Sequence, residues 1–436
     1  MATEIKLPEL GDGIESGDIL EIFVSVGDTV SEGDDIVEVE TDKASVPVPS
    51  TVTGTVASIN VESGQTIAIG DVLITVDGGA AAPEAPATPA VEAEPAPAPP
   101  EPEVQPEPVA AIPEPEPAPE PAPEPDFEKG AKVGEGEGQY QVLRNWPIYP
   151  EGKSLGSLHG DMAADSNGKV YIATSGNIQV IGANGVYERD LKTTDGKVFQ
   201  GVHGMKIRKI NGEEALIAAM PSKKRVFAVK LDGTVLWQIV GHPDVEGMYG
   251  HIKEYNPTDL DVAPDGKIYI VDGYGKSFVH VYDKDRNYLS SFGGKGKENE
   301  KFNTCHNILV DTRSDTPTLL VSDRENNRLQ LHSMDGSFIK TIDSDLRQPC
   351  AADIYGDLLA VGELGGRLSL YDKNNQLVSR IGDEPSDRSK GNGAKPEDWV
   401  EGALVAVHGC TFDVKGDLYA QEWNRFGRLT KYTKIK

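Results

Sequence analysis

Residues 257–285, PTDLDVAPDGKIYIVDGYGKSFVHVYDKD, contain the pattern that decides the fold of most of the chain. Short runs of apolar and β-branched residues, such as Ile268–Val271, alternate with turn sequences that contain Asp-Gly or Gly. Runs of this length between tight turns are typical of strands and too short for helices. The stretch therefore predicts a series of short antiparallel strands.

The same pattern recurs six times between residues 138 and 436, with a period of about 45–58 residues. The copies begin at His159, His203, Pro257, His306, Cys350 and His408. Such a repeat predicts an all-β, six-bladed β-propeller with about four strands in each blade. The last copy has only three strands, so Tyr140–Trp146, which precedes the first copy, is predicted to complete it. Residues 381–403 are polar and aperiodic and are interpreted as an insertion between blades five and six.

The acidic charge is concentrated in the first third of the chain. The formal net charge is −28, of which residues 1–79 carry −14 and residues 80–126 carry −11. This balance argues against partners that need a basic surface, namely nucleic acid and anionic membranes. Residues 80–126 hold 17 of the 30 prolines and no aromatic residue, so they cannot bury a core. We interpret residues 80–137 as a disordered, extended Pro/Ala/Glu-rich linker between a first domain (1–79) and the propeller (138–436).

Three cysteines, Cys305, Cys350 and Cys410, are too few for a disulfide framework. The first residues, MATEIKLPEL, lack the basic and apolar regions of a signal peptide, and no apolar run is long enough for a membrane span. These features predict a reduced, cytoplasmic protein.

The first domain contains an internal repeat. Residues 24–41, VSVGDTVSEGDDIVEVET, align with residues 61–77, VESGQTIAIGDVLITVD. Both halves alternate Val and Ile with polar residues around a Gly-Asp turn, which predicts a small β-sandwich built from two equivalent halves.

The turn after the first half, Glu40-Thr41-Asp42-Lys43-Ala44-Ser45, resembles that of the lipoyl domains of 2-oxoacid dehydrogenase acyltransferases. The resemblance implies that Lys43 is the attachment site of covalent lipoate, with Asp42 and Ala44 beside it. Related biotin carriers have Met on both sides of the lysine, so lipoate is favoured. The alternative is an unmodified sandwich with an ordinary surface lysine.

The lipoyl resemblance extends to glycines on either side of that turn, which are Gly27 and Gly54 here. It implies three kinds of partner: a lipoate-attaching enzyme, a dihydrolipoyl-oxidising flavoprotein and a 2-oxoacid dehydrogenase-type complex. The basic subunit-binding domain and the His-Arg-x-x-Asp-Gly motif of the acyltransferases are not found. The nearest match, His332–Gly336, has the wrong spacing and a strand-turn context, which excludes acyltransferase chemistry in the propeller.

The sequence Asp323-Arg-Glu-Asn-Asn-Arg328 resembles the signature of NHL-repeat propellers. The resemblance is closest to the peptidyl-hydroxyglycine lyase domain of the peptide-amidating enzyme, whose Pro-Thr-Asp and Asp-Gly-Tyr segments match residues 257–259 and 272–274. It implies zinc ligands at the residues His203, His306 and His408. It also implies catalytic roles for Tyr274 and Arg324, for which a structural role is the alternative.

Two positions depart from the lyase pattern. His159 stands where that family has a catalytic arginine, and Gly409 stands where an aspartate helps to hold calcium. The residues themselves nevertheless favour a site at the propeller axis, because four of the eight histidines (His159, His203, His306 and His408) begin predicted blades. Converging imidazoles suit Zn²⁺ with an open position for water, and the alternative is a ring of hydrogen-bonding residues around a wet channel.

The sequence therefore predicts a lipoyl carrier on a swinging arm, joined to an NHL-like propeller that binds a partner or ligand in its channel. A zinc-dependent, lyase-like enzyme in the propeller is the alternative. A third hypothesis makes the propeller a scaffold that recruits the first domain to a complex.

Overall fold

The computed structural model describes residues 2–8, 16–24, 26–31, 33–40, 45–61, 65–78, 125–342, 345–383 and 388–435. These residues belong to two compact units, Met1–Pro123 and Glu124–Lys436. The predicted linker from 80 to 124 lies outside the described residues, as do Asp42, Lys43 and Ala44. No helix in the described ranges is long and apolar enough to cross a membrane.

The first unit is a β-sandwich of two four-stranded antiparallel sheets. Its strands are β1 (Ala2–Lys6), β2 (Ser16–Ile22), β3 (Thr29–Val30), β4 (Asp35–Glu40), β5 (Ser45–Pro49), β6 (Gly54–Ile59), β7 (Thr66–Ala68) and β8 (Val72–Gly78). One sheet has the order β1-β8-β6-β3 and the other β5-β4-β2-β7. Buried Val, Ile and Leu side chains from both sheets form one core, as the alternating pattern predicts.

The two halves of the sandwich contain matching turns, which supports the internal repeat read from the sequence. Gly33 and Gly70 have φ of +94° and +93°, a backbone conformation that glycine adopts without strain. The carboxylate of Asp34 accepts a hydrogen bond from the backbone N–H three residues earlier at 2.8 Å, and that of Asp71 does the same at 2.9 Å. The Gly-Asp pairs are therefore equivalent structural turns.

The second unit consists of antiparallel sheets that follow one another along the chain. It begins with β9 (Lys129–Val133) and β10 (Tyr140–Leu143). The next two sheets are β11–β14 (Met162–Ala164, Val170–Ala173, Ile178–Ile181, Tyr187–Leu191) and β15–β18 (Met205–Ile210, Glu213–Met220, Arg225–Lys230, Val235–Val240). The following two are β19–β22 (Asp259–Val262, Ile268–Val271, Phe278–Tyr282, Tyr288–Gly293) and β23–β26 (Cys305–Asp311, Thr318–Asp323, Arg328–His332, Phe338–Thr341). A fifth is β27–β30 (Pro349–Tyr355, Leu358–Glu363, Arg367–Tyr371, Leu377–Ile381).

The sixth sheet joins the two ends of the unit. Strands β31 (Val407–Phe412), β32 (Leu418–Glu422) and β33 (Leu429–Lys434) pair in the order β31-β32-β33-β10-β9. Short 3₁₀ helices occur at Gly136–Gly138, Ile252–Glu254, Arg324–Asn326, Arg388–Gly393 and Pro396–Asp398. The last two fall in the segment interpreted from the sequence as an insertion.

The first strand of each sheet lies against the first strand of the next. The contacts run from β11 through β15, β19, β23 and β27 to β31, and β31 contacts β11. The sheets formed by the described residues of this unit therefore follow one another in a closed ring, which is the architecture of a β-propeller. Apolar cores fill the spaces between adjacent sheets, and the six first strands surround the central channel.

The sequence predicted part of this closure and missed part of it. Tyr140–Leu143 pairs with β33, with Tyr140 opposite Lys434 and Leu143 opposite Lys431, which confirms the strand predicted to complete the last sheet. The predicted linker is wrong at its end, because β9 pairs with β10 and its residue Val133 is buried in the core. Lys129–Val133 has a single strongly apolar residue, so only its partner strand makes it a strand.

The contribution of strand β10 to the stability of the closed ring can be tested at Tyr140. Tyr140 is fully buried in the core next to the last sheet, and its hydroxyl has no hydrogen-bond partner among the described residues. We expect Tyr140→Ala to lower the free energy of unfolding by about 3–5 kcal/mol, because it leaves a large cavity. Tyr140→Phe is the matched control and should change it by less than about 1 kcal/mol, because it removes only a buried, unpaired hydroxyl. Chemical denaturation measures both, and equal effects of the two variants would contradict this role.

Candidate functional site

Three side chains reach the central channel because the innermost strands bulge at their second residues. The pairing of β23, β27 and β31 with their neighbours skips one residue, which is His306, Cys350 and His408 respectively. The side chain of such an extra residue points in a different direction from the one that the regular alternation of side chains along a strand would give it. The backbone at His203 shows the same pattern, since two successive residues are hydrogen-bonded to Ala219.

Each of the three histidines is held by a hydrogen bond to the next sheet around the ring. The Nδ1 atoms of His203, His306 and His408 lie 2.8, 2.8 and 2.9 Å from the carbonyl oxygens of Thr258, Cys350 and Gly160. A carbonyl oxygen only accepts, so in each ring Nδ1 carries the hydrogen and Nε2 has a free lone pair. The ring centroids are 4.7–4.8 Å apart. The three residues therefore form a layer of neutral, converging imidazoles, called the histidine layer below.

His159 does not belong to this layer by backbone position, contrary to its predicted place at the start of a blade. Gly160 occupies the equivalent position, because its carbonyl accepts the bond from His408. His159 lies one residue earlier and is exposed. Its ring stacks on Trp423, with the centroids 5.2 Å apart, and lies 5.1 Å from the ring of His408. The structure therefore brings all four predicted histidines together, but His159 approaches from outside.

Tyr274 and Arg324 lie directly against the histidine layer. The hydroxyl oxygen of Tyr274 is 3.0 Å from Nε2 of His203 and 3.1 Å from Nε2 of His306. Arg324 donates to the same hydroxyl at 3.3 Å, and its guanidinium lies 5.3 Å from the centre of the tyrosine ring. One hydroxyl hydrogen can serve only one of the two Nε2 atoms. The Nε2 atom of His408, which is buried, has no partner among the described residues.

Burial keeps the groups of this layer uncharged. Desolvation, followed by the neighbouring histidines, lowers the pKa of His203 to about 3 and holds the pKa values of His306 and His408 well below their ordinary range. Desolvation also raises the pKa of the Cys350 thiol to about 12. At neutral pH the channel therefore contains neutral imidazoles with free lone pairs and a protonated thiol, and the histidines carry no positive charge.

Carboxylates lie beneath the histidine layer. Asp161, Asp259 and Asn307 line the same narrow space as the three imidazoles. Lys206 donates to the carboxylate of Asp259, and burial raises the pKa of Asp161 well above its ordinary value. A polar cavity of about 160 Å³ continues along the channel between the first strands. Carboxyl groups thus lie on the floor of the site, and the guanidinium of Arg324 lies at its mouth.

The loops that lead into the bulges are held by buried acidic residues at the end of each second strand. Each of these acids accepts a hydrogen bond from a backbone N–H of the preceding loop: Asp323 from Asn303, Glu363 from Arg347, and Glu422 from Val405. Each also forms an ion pair with an arginine of the next strand or just before it: Asp323 with Arg328, Glu363 with Arg367, and Glu422 with Arg428. The sequence signature DRENNR marks one of these pairs. The other two were missed, although an acid followed by Arg in the next strand recurs in the repeats.

Asp272 takes the same position in the third sheet but has no arginine partner in the described structure. Its carboxylate accepts from the hydroxyl of Tyr249 at 2.6 Å and from the backbone N–H of Asn256 and Lys276 at 2.6 and 2.7 Å. It therefore joins the loop before β19 to the turn between β20 and β21, which carries Tyr274. Sequence reasoning assigned no role to Asp272.

Two paired strands flank Lys43 in the sequence. Strands β4 and β5 pair as far as Glu40 and Ser45, and the four residues between these in the sequence include Lys43. Gly27 has a φ of +94°. A Cβ atom at Gly54 would lie 2.2 Å from the carbonyl oxygen of Asp77, so only glycine fits there.

Comparison with known proteins identifies the type of the first unit. Residues 3–76 match the family model described as "Biotin-requiring enzyme". The dihydrolipoyllysine-residue acetyltransferase components of the pyruvate dehydrogenase complexes of Staphylococcus aureus and Staphylococcus epidermidis are 48% and 46% identical to this chain over 59 residues. The alignments cover 14% of this chain and 14% of each relative. The first unit is thus a biotin/lipoyl-type domain, and the chain matches only that small part of the relatives' length.

A solved structure resembles this chain in fold. A gluconolactonase from Xanthomonas campestris superposes with a TM-score of 0.51 and 13% identity, covering 72% of this chain and 99% of that one. A streptogramin B lyase gives a TM-score of 0.44 and 11% identity over 65% of this chain and 95% of that one. At such identities the gluconolactonase supports the propeller fold alone.

Asp272 makes stability depend on pH in a defined direction. Desolvation raises its pKa to about 6, above the ordinary value near 3.9. Between these two values the folded chain holds a proton that the unfolded chain has lost, so this group's contribution to stability falls as pH rises. We expect wild type to lose on the order of 2 kcal/mol relative to Asp272→Asn between pH 4 and pH 7. Urea unfolding of both proteins measures this, and a difference independent of pH would contradict it.

Proposed function

We propose that this protein is a lipoyl carrier, with lipoate attached to Lys43, whose propeller binds a partner or ligand in the central channel. The observation that carries the proposal is the sequence Asp42-Lys43-Ala44 between two paired strands of a biotin/lipoyl-type domain. It is supported by the 48% identity to dihydrolipoyllysine-residue acetyltransferases over 59 residues. Asp42 and Ala44 take the place of the methionines of biotin carriers, which favours lipoate over biotin.

The arrangement of the chain suits a swinging arm. Lys43 is the single basic residue of the sequence between Lys6 and Lys129, so a ligase that recognises it meets no competing lysine nearby. Residues 80–124 contain 16 prolines and ten glutamates, a composition that favours an extended tether. A tethered dithiolane has a high effective concentration at every site within its reach without requiring a stable interface.

The partners follow from the chemistry of the dithiolane. A lipoate-attaching enzyme forms the amide at Lys43, a 2-oxoacid dehydrogenase-type complex loads or unloads the arm, and a dihydrolipoyl-oxidising flavoprotein restores the disulfide. The three cysteines are free thiols, which fits a reducing compartment, and the proposal places the carrier in the cytoplasm. In this proposal the propeller is six-bladed and of the NHL type, and the acid–arginine pairs at the blade ends support that assignment.

Lipoylation is tested by intact mass. We expect protein from its native cells to carry one lipoyl group, because Lys43 is the motif lysine, and Lys43→Arg to abolish the mass increase. Lys6→Arg removes the other lysine of the first unit and should leave the increase unchanged. An unmodified wild type, a biotin increment, or a lipoyl increment that persists in Lys43→Arg would each contradict the proposal.

A metal-dependent enzyme in the propeller is the second candidate function, and the histidine layer favours it. The buried Nε2 atom of His408 has no partner within the described part of the chain, and three neutral imidazoles are the ligand set that zinc binds in catalytic sites. These residues fit zinc, which would be held by His203, His306 and His408 with His159 beside them. Bound there, the metal would act as a Lewis acid or lower the pKa of a water. Tyr274 and Arg324 would orient and stabilise an anionic substrate.

Metal content distinguishes this candidate from a metal-free ligand channel. We expect about one zinc per chain if the histidine layer is a metal centre, and His408→Gln should lose it because a buried ligand is removed. His251→Asn is the matched control, because His251 is an exposed residue whose side chain accepts a hydrogen bond at the start of a 3₁₀ helix, as Asn also can. Elemental analysis of the purified proteins measures the zinc content. A metal-free wild type would rule out the metal-dependent enzyme and leave the lipoyl carrier with a metal-free channel.

A further inference from the structure

The position of His159 distinguishes it from the other three histidines. Its ring is not part of any hydrogen bond within the described residues, whereas His203, His306 and His408 are each fixed through Nδ1. Its ring is held above the channel by ring contacts alone, stacking on Trp423 and lying against the rings of His203 and His408 within the described residues. It is an exposed, adjustable imidazole next to three rigid ones.

The ring nitrogens of His159 lie within reach of the histidine layer. One nitrogen each of His159, His203 and His408 falls within 4.8 Å of the others. Zinc-type ions bind imidazole nitrogens at about 2.0–2.1 Å, so tetrahedral ligand nitrogens lie roughly 3.4 Å apart. A rotation of His159, whose ring makes no hydrogen bond within the described residues, would adjust its nitrogen to that spacing.

His306 is a further imidazole beside this group of three. Its ring centroid lies 4.8 Å from those of both His203 and His408. Its Nε2 atom faces the same hydroxyl of Tyr274 as that of His203. The single hydroxyl hydrogen of Tyr274 can be donated to only one of these two Nε2 atoms. The lone pair of the other Nε2 atom is therefore available to a cation between the rings.

The charges around the layer also admit a cation. Arg324 at the mouth opposes one, but the carboxylates of Asp161 and Asp259 line the narrow space on the other side of the imidazoles. Lys206 neutralises Asp259 in part. Two carboxyl groups and one lysine thus lie beneath the rings, so the groups there do not add to the positive charge of Arg324.

We propose that His159 is a metal ligand and that the channel binds a divalent transition-metal ion through four imidazoles, those of His159, His203, His306 and His408. This inference rests on the second candidate function, and it changes the class of that site. Four protein ligands fill a tetrahedral zinc ion, so no position remains for water. The centre would then be closed in the resting protein, and a substrate would bind only when His159 swings back onto Trp423. The ligand set suits Zn²⁺, Co²⁺ or Cu²⁺.

Cobalt(II) provides a spectroscopic test on the full chain. The visible spectrum of Co²⁺ reports the number of ligands, and added azide reports an open position. We expect the wild-type spectrum to be that of a four-coordinate ion and to be unchanged by azide. His159→Ala should still bind Co²⁺ through the three buried imidazoles, but with a shifted spectrum that responds to azide. The substitution is at an exposed residue, so folding is retained.

Two controls and two opposing outcomes complete the test. His251→Asn should behave as wild type. Lys43→Arg, which cannot carry lipoate, should also keep the wild-type spectrum, which would show that lipoyl thiols are not the ligands. Two results with bound Co²⁺ would show that His159 is not a ligand: a wild-type spectrum for His159→Ala, or a response of the wild type itself to azide. In either case the metal centre would remain, without His159. If the wild type binds no Co²⁺, the metal centre itself is refuted. Neither result alters the lipoyl carrier, which is tested by mass.

Discussion

The antiparallel pairing of Tyr140–Leu143 with Leu429–Lys434 is the interaction on which the second unit depends. It joins the two ends of a long chain segment, and the entropy of closing such a loop has to be offset by the pairing and by the core beneath it. Once the ring is closed, β31 lies against β11. Only then does His408 reach the carbonyl of Gly160, which completes the histidine layer.

Within the closed ring, the direction of each channel side chain depends on two local devices. A bulge at the start of the first strand turns one residue toward the axis, and a buried carboxylate at the end of the second strand holds the loop before it. Asp323, Glu363 and Glu422 perform the second role with an arginine partner, and such charged pairs tolerate burial because their hydrogen bonds are made within the protein. Asp272 performs it with a tyrosine hydroxyl instead, and because burial raises the pKa of Asp272, this anchor responds to pH.

Sequence patterns were informative where local chemistry decides the structure. Alternating Val and Ile between Gly-Asp turns predicted the sandwich and its repeat, and the period of the strands predicted the propeller sheets and the closing strand. The pattern failed at Lys129–Val133, whose composition is that of a linker and whose strand exists because β10 offers a partner. It also failed at His159, because the dipeptide His-Gly occurs at His159, His203 and His408 alike, and an offset of one residue is invisible until the backbone pairing is known.

The sequence by itself determined an all-β chain, an acidic first domain with the lysine motif of a lipoyl carrier, a proline-rich segment and a propeller with histidines near its axis. These are properties of residues close together in the chain, where strand periodicity and turn chemistry act. Only the tertiary structure decided that His203, His306 and His408 hold their Nδ1 hydrogens on neighbouring sheets and turn their Nε2 atoms toward one another. The physical reason is that each of these bonds joins residues about 45 or more positions apart, or at opposite ends of the unit, and forms only when the ring of sheets is closed.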